Sequence, residues 1–143
     1  MKSGGGYLLD TCVISELIRA EPASKVMDWI DGQEEENLYL SVITLGEIEK
    51  GISKLAEGRK KMQLQAWLAD ELMERFNGRI FGITPEVARC WGTMRSLPVV
   101  DALIAATAIT NGLIVVTRNT ADMNDSGATL LDPWEQIRFR PLW

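Results

Sequence analysis

Five short apolar runs, separated by segments of helical character, constrain this chain more than any other feature. They are "YLLD" (7–10), "LYLSV" (38–42), "IFGI" (80–83), "LIVVT" (113–117) and "ATLL" (128–131). Each carries branched or aromatic residues and no long polar interruption, as strands buried on both faces of a parallel sheet do. Parallel neighbours cannot be joined by tight hairpins and need crossovers, which the intervening helical segments supply. The pattern predicts an α/β fold: a three-layer α/β/α sandwich with a mainly parallel sheet of about five strands.

The helices announce themselves by their punctuation. "TCVISELIR" follows the first strand; residues 23–31 follow Pro22 and stop at Gly32; residues 45–57 follow Thr44 and end near Gly58. "KKMQLQAWLADELMERFNG" is amphipathic, with Asn77-Gly78 as its stop. "TPEVARCWGTMRS" opens on Thr84 as N-cap and Pro85 at the first helical position. "VVDALIAATAITNG" is apolar on nearly every side, which predicts a buried helix. At 143 residues the chain reads as one domain over 7–135, with a short flexible leader (1–6) and a tail (136–143). The leader "MKSGGG" lacks a signal peptide's apolar stretch. No apolar run approaches the roughly 20 residues that cross a bilayer. Two cysteines, Cys12 and Cys90, are too few for a disulfide framework, so a reducing, cytoplasmic setting is expected.

Histidine is absent. The chain has 15 Lys+Arg, 20 Asp+Glu and no His, which excludes Ser-His-Asp and Cys-His catalysis, HExxH zinc sites and His-based ribonuclease chemistry. Any hydrolysis must rest on carboxylates. The net charge of −5 also argues against a nonspecific DNA-coating protein, although bound cations let an acidic protein handle nucleic acid.

Candidate carboxylates recur where strands end and helices begin. Asp10 closes the first strand; Glu47 is expected in the first turn of the helix after the second; Asp101 begins the buried helix; Asn119 and Asp122 follow "LIVVT". All fall at the carboxyl edge of a parallel sheet, where open α/β folds place their sites. Each also has a structural role available. Asp10 suits a helix N-cap, Thr44 with Glu47 reads as a capping box, Asp101 suits a helix dipole, and Asn119 and Asp122 suit a turn. Together, though, they would repel one another unless a cation neutralised them. Oxygen ligands without nitrogen or sulfur point to Mg²⁺ or Mn²⁺ and to phosphodiester hydrolysis.

The strings "LLDTCVISEL", "YLSVITLGEIEKGI", "VVDALIAATAITNGLIVVTRNTADM" and "LLDPWE" together resemble PIN-domain proteins, specifically VapC-type toxins of the FitB-like branch of type II toxin–antitoxin systems. The likeness spans about residues 7–135, with four motifs in order. It implies a homodimeric endoribonuclease with an acidic Mg²⁺/Mn²⁺ site, blocked by a cognate antitoxin of the VapB/FitA kind. Carried across, the catalytic and metal-binding set is Asp10, Glu47 and Asp101, with Asp122 as the charged fourth member and Asn119 as a polar site residue. Thr11 matches the Thr that follows the first Asp, and Thr44, Cys12 and Arg118 complete the expected surroundings. Two departures stand out. Cys12 occupies a position commonly held by Asn, and a thiol beside a metal has a reactive alternative to an inert buried role. "TMRSLPVVDA" also lacks about ten residues that many relatives carry before the third motif.

Lys54, Arg59, Lys60, Lys61 and Arg118 are candidate contacts to an RNA backbone; "EGRKKM" reads equally as a solvated turn, and Arg118 equally as a partner of the acidic cluster. Trp29, Trp67 and Trp91 read as core, while Phe139, Leu142 and Trp143 in "QIRFRPLW" read as exposed unless docked. The shortened 96–101 connection and Cys12 favour an alternative, a catalytically silent PIN module that binds an antitoxin without cutting. A phosphatase with an Asp nucleophile is disfavoured, because Asp10-Thr11-Cys12 lacks the second Asp of a D-x-D pair.

Overall fold

The computed structural model describes residues 5–135 and 137–139, the last three by backbone alone. Strands β1 (Tyr7–Leu9), β2 (Leu38–Ser41), β3 (Ile80–Phe81), β4 (Ile114–Val116), β5 (Leu130–Asp132) and β6 (Ile137–Phe139) form one sheet in the order β3-β2-β1-β4-β5-β6. The first five pair in parallel and β6 runs antiparallel to β5. The five expected strands are therefore present, the first four trimmed and the fifth shifted to end at Asp132, and the sheet continues one strand into the segment read as a tail. It also begins early. Gly6 is buried, Ile114 N donates to its carbonyl at 3.0 Å, and a Cβ there would lie 2.2 Å from Leu113 Cδ2. Phe139's side chain, Leu142, Trp143 and residues 1–4 lie outside the described residues.

The helices are α1 (Thr11–Leu17), α2 (Ser24–Asp31), α3 (Val42–Ser53), α4 (Arg59–Ala66), α5 (Met73–Arg75), α6 (Pro85–Gly92), α7 (Val99–Thr110) and α8 (Thr120–Met123). Successive strand residues face opposite layers, as the pleat requires. Leu9, Val116 and Leu131 enter one core with Val13 and Ile14 of α1, Val26 and Ile30 of α2, and Ile48 and Ile52 of α3. Leu8, Val115 and Leu130 enter the other with Ile104, Ala105 and Ala108 of α7. This is the three-layer sandwich that the strand–helix alternation predicts.

Two helices differ from expectation. α3 begins at Val42, three residues earlier than expected, because the Ser41 hydroxyl accepts from Ile43 N at 3.0 Å and caps the helix as β2 ends. Gly58, expected to close that helix, instead precedes α4 with φ 154°, a conformation suited to glycine. The amphipathic stretch after it is not uniform: α4 passes into a π-helical segment (Trp67–Leu72) before α5, and Leu68 and Leu72 of that segment are buried. Trp29 and Trp67 pack against the first core as expected. Trp91, also expected inside, is 38% exposed, because α6 buries only Val87.

Candidate active site

The strand order reverses at β1, and the carboxyl ends of β1 and β4 at that switch are where open α/β folds place their sites. Asp10 sits there. Its amide donates to Val116 O of β4 at 3.0 Å, which extends the ladder by one bond and fixes the residue between strand and helix. The side chain caps α1, with Oδ1 accepting from Thr11 N at 2.8 Å. The cap role and the site role are thus served by one residue: Oδ2 turns toward β4 and accepts from Thr117 Oγ1 at 2.7 Å. Asp10 is 3% exposed. Burial raises its pKa, and the charge of Glu47 adds to the rise, while the bonds from Thr117 and Thr11 oppose it.

Glu47 does not close a capping box with Thr44. Since α3 starts at Val42, Ser41 holds the cap and Glu47 falls in the second turn. Its Oε1 instead accepts from Thr11 Oγ1 at 2.5 Å, a charge-assisted bond that ties α3 to the start of α1. Buried Thr44 lies 3.4 Å from the same Thr11 hydroxyl.

Asp101 projects from the first turn of α7. Its pKa is raised, first by burial and then by the charges of Asp10, Asp122 and Glu47. Four carboxylates from four separate segments therefore share one electrostatic field. Asp122 is exposed on α8, and Asn119 precedes that helix, its backbone N donating to Thr117 Oγ1 at 2.9 Å. Among the described residues no Lys or Arg forms an ion pair with any of the four. Nor do any three Asp, Glu, His or Cys side chains among them stand close enough, as placed, to grip one ion together. The carboxylates feel one another without converging.

Such a donor set fits a hard divalent cation that keeps much of its water and takes one or two carboxylates directly, the habit of Mg²⁺. A softer metal has little to hold here. The Cys12 thiol lies between Asp10 Oδ2 (3.8 Å), Thr117 Oγ1 (3.7 Å) and Arg118 N, which donates to Sγ at 3.4 Å. Burial, with Asp10's charge, pushes its pKa up to about 11, which favours the inert buried role over the reactive one.

Arg118 does not pair with the cluster. Its guanidinium stacks over the Trp134 ring, 4.5 Å from the centroid. Lys61 is bound to Glu57 at 3.0 Å, while Arg59 and Lys60 are exposed at the start of α4. An open groove of about 250 Å³ adjoins Thr11 and Glu47, with Ile18, Ile48, Leu64 and Trp67 on its walls and Lys60 on its rim. Thr117 is the site residue that sequence reasoning missed. A hydroxyl closing the apolar run "LIVVT", directly before the polar turn, was the available signal.

Comparison with known proteins agrees with this geometry. A family model described as the PIN domain matches residues 7–124. The chain is 35% identical over 136 residues to "VapC ribonuclease Y4jK" of Sinorhizobium fredii (90% of this chain, 97% of that one). It is 36% identical over 135 residues to "Toxin FitB" of Neisseria gonorrhoeae (89% and 97%). Among solved structures, FitAcB from Neisseria gonorrhoeae matches with a TM-score of 0.85 at 35% identity, covering 90% of this chain and 98% of that one. The chain belongs to the PIN-domain family. Within it, the chain groups with the VapC and FitB toxins.

Proposed function

We propose that this protein is a Mg²⁺- or Mn²⁺-dependent endoribonuclease toxin that hydrolyses RNA phosphodiester bonds and is restrained by a cognate antitoxin. One observation carries the reading: Asp101 feels the charges of Asp10, Asp122 and Glu47 at the switch point of the sheet, without a basic partner among the described residues. Asp10 and Asp101 would hold the ion, with Asp122 and Glu47 reaching it directly or through water. A cation so held polarises a phosphate oxygen and makes a bound water more acidic. The chain's own residues do the positioning. Thr117 fixes the free face of Asp10, and Thr11 holds Glu47 Oε1, leaving Oε2 to orient the attacking water. Lys60 borders the groove, and it and the exposed Arg59 beside it in the chain would meet the RNA backbone. The same reading has the protein act as a cytoplasmic homodimer. An antitoxin segment with apolar side chains would suit the walls of the groove, and a basic side chain on it would reach the carboxylates.

A silent PIN module remains the second reading, favoured by the lack of any three converging ligands among the described residues. The deciding assay incubates purified, antitoxin-free protein with total RNA and tRNA, in Mg²⁺ or Mn²⁺, in EDTA, and beside Asp10→Asn. Cleavage that needs metal and disappears in the variant supports the nuclease. A folded wild type that leaves every RNA intact in either metal supports the silent module.

A further inference from the structure

Arg118 poses a question that the proposed chemistry does not absorb. Its backbone is rooted in the site: its amide donates to Cys12 Sγ at 3.4 Å, and it follows Thr117, whose hydroxyl holds Asp10. A cation placed there has every electrostatic reason to swing into four carboxylates that repel one another. It points elsewhere. The guanidinium lies on the face of Trp134, 4.5 Å from the ring centroid, and Trp134 is 8% exposed. The ring is anchored in turn, since Trp134 N donates to Asp132 Oδ1 at 2.9 Å just past β5. Glu16 of α1 is 4% exposed, with Oε2 held by Ala23 N at 2.7 Å and Oε1 by Arg19 at 3.3 Å. The charge of Arg118 is felt at Glu16, adding to the bonds that keep this carboxyl below its ordinary range.

The geometry points to Trp134 as a positioning residue that holds the Arg118 side chain off the acidic cluster, so that an incoming divalent cation meets carboxylates with no internal rival. A guanidinium on Asp10 or Asp101 would occupy the oxygens that a dication needs and weaken its binding by direct competition. An aromatic face gives that guanidinium a better place to be. The inference rests on the metal-site reading above, and its test separates the two.

The experiment measures Mn²⁺ binding by calorimetry, without RNA, to the wild-type chain, Trp134→Leu, Arg118→Gln and the double variant Trp134→Leu/Arg118→Gln. Trp134→Leu should weaken Mn²⁺ binding about tenfold, the range seen when groups around a metal site are lost. The double variant should bind within about twofold of Arg118→Gln, because with the rival removed the ring no longer matters. If Trp134→Leu is equally weak with Arg118 already removed, the loss is structural and the inference falls. It falls too if Arg118→Gln alone tightens binding about tenfold, which would place the guanidinium on the carboxylates already. Should Trp134→Leu not fold, the wild type still decides: the Arg118 Nε–H resonance, assigned by its disappearance in Arg118→Lys, must show an upfield ring-current shift, and the absence of that shift overturns the stacking. A wild type that takes up no Mn²⁺ while keeping that shift overturns the metal-site reading and leaves the placement of Arg118 intact.

Discussion

Replacing Thr117 by Val tests the site through its most buried polar contact. The two side chains are nearly the same shape, so no cavity opens, and Thr117 has no exposed surface at which water could take over. What is lost is the 2.7 Å bond to Asp10 Oδ2, together with the neutral 2.9 Å bond that Thr117 Oγ1 accepts from Asn119 N, which does not vary with pH. A bond to an ionised group is worth about 1.5–3 kcal/mol and one between neutral groups about 1 kcal/mol. The loss must therefore depend on pH. Asp10's pKa is raised in the folded chain, so between its ordinary value of 3.8 and the raised value the folded state binds more protons than the unfolded one. Stability from this group is full at low pH and declines as pH rises through that window. Removing Thr117 removes a donor that lowers the pKa, which widens the window upward. Urea unfolding followed by tryptophan fluorescence, in EDTA, should show a deficit of about 2–3 kcal/mol at pH 7 that shrinks to about 1 kcal/mol near pH 4. At neutral pH this corresponds to a melting temperature lower by roughly 6–10 °C. An equal deficit at both pH values would mean that the hydroxyl does not act on the charged carboxylate. No deficit at pH 7 would mean that the contact contributes nothing.

Three further outcomes follow from the same geometry. Asp101→Asn should raise the melting temperature in EDTA, by relieving repulsion from Asp10, Asp122 and Glu47, while cutting RNA cleavage by more than about 100-fold; calorimetric melting and a cleavage assay read the two effects. Mn²⁺ at about 100 times its dissociation constant should add about 2.7 kcal/mol of stability at pH 7, and less as pH falls, because the raised carboxyls of Asp10 and Asp101 take protons before ordinary ones do; thermal shift with and without EDTA measures it. Gly6→Ala should cost about 1 kcal/mol by urea unfolding, because the new methyl meets Leu113 Cδ2, the end of a side chain that must turn aside.

The layers and strand positions were legible because the apolar runs are separated by real helix punctuation, and parallel pairing leaves few ways to connect them. The carboxylates were legible for a related reason: Asp10 and Asp101 stand one residue past a strand and in the first turn of a buried helix, places where sequence position and spatial position coincide. The start of α3 was not, because Ser41 ends a strand and caps a helix at once, and two candidate caps three residues apart cannot be ranked without knowing where the strand stops. The direction of Arg118 was not legible either. It depends on Trp134, sixteen positions later, arriving beside it through the β4–β5 pairing. Thr117 looked like the last residue of a strand and stands one residue past it; only the neighbouring strand shows that its hydroxyl has Asp10 to hold.

The order of the sheet has a consequence for how this protein loses its site. β1 lies inside the sheet with β2 and β4 on its two sides, while the outermost strands are β3, of two residues, and β6, of three. Outer strands with few partners open first and most often. Such fraying leaves untouched the ledge formed by the ends of β1 and β4, where Asp10 and Thr117 meet. Amides of Leu8, Leu9 and Val116 should be among the slowest in the chain to exchange with solvent. The carboxylate cluster is thus tied to the last part of the molecule to open, and its disappearance reports global unfolding rather than local wear.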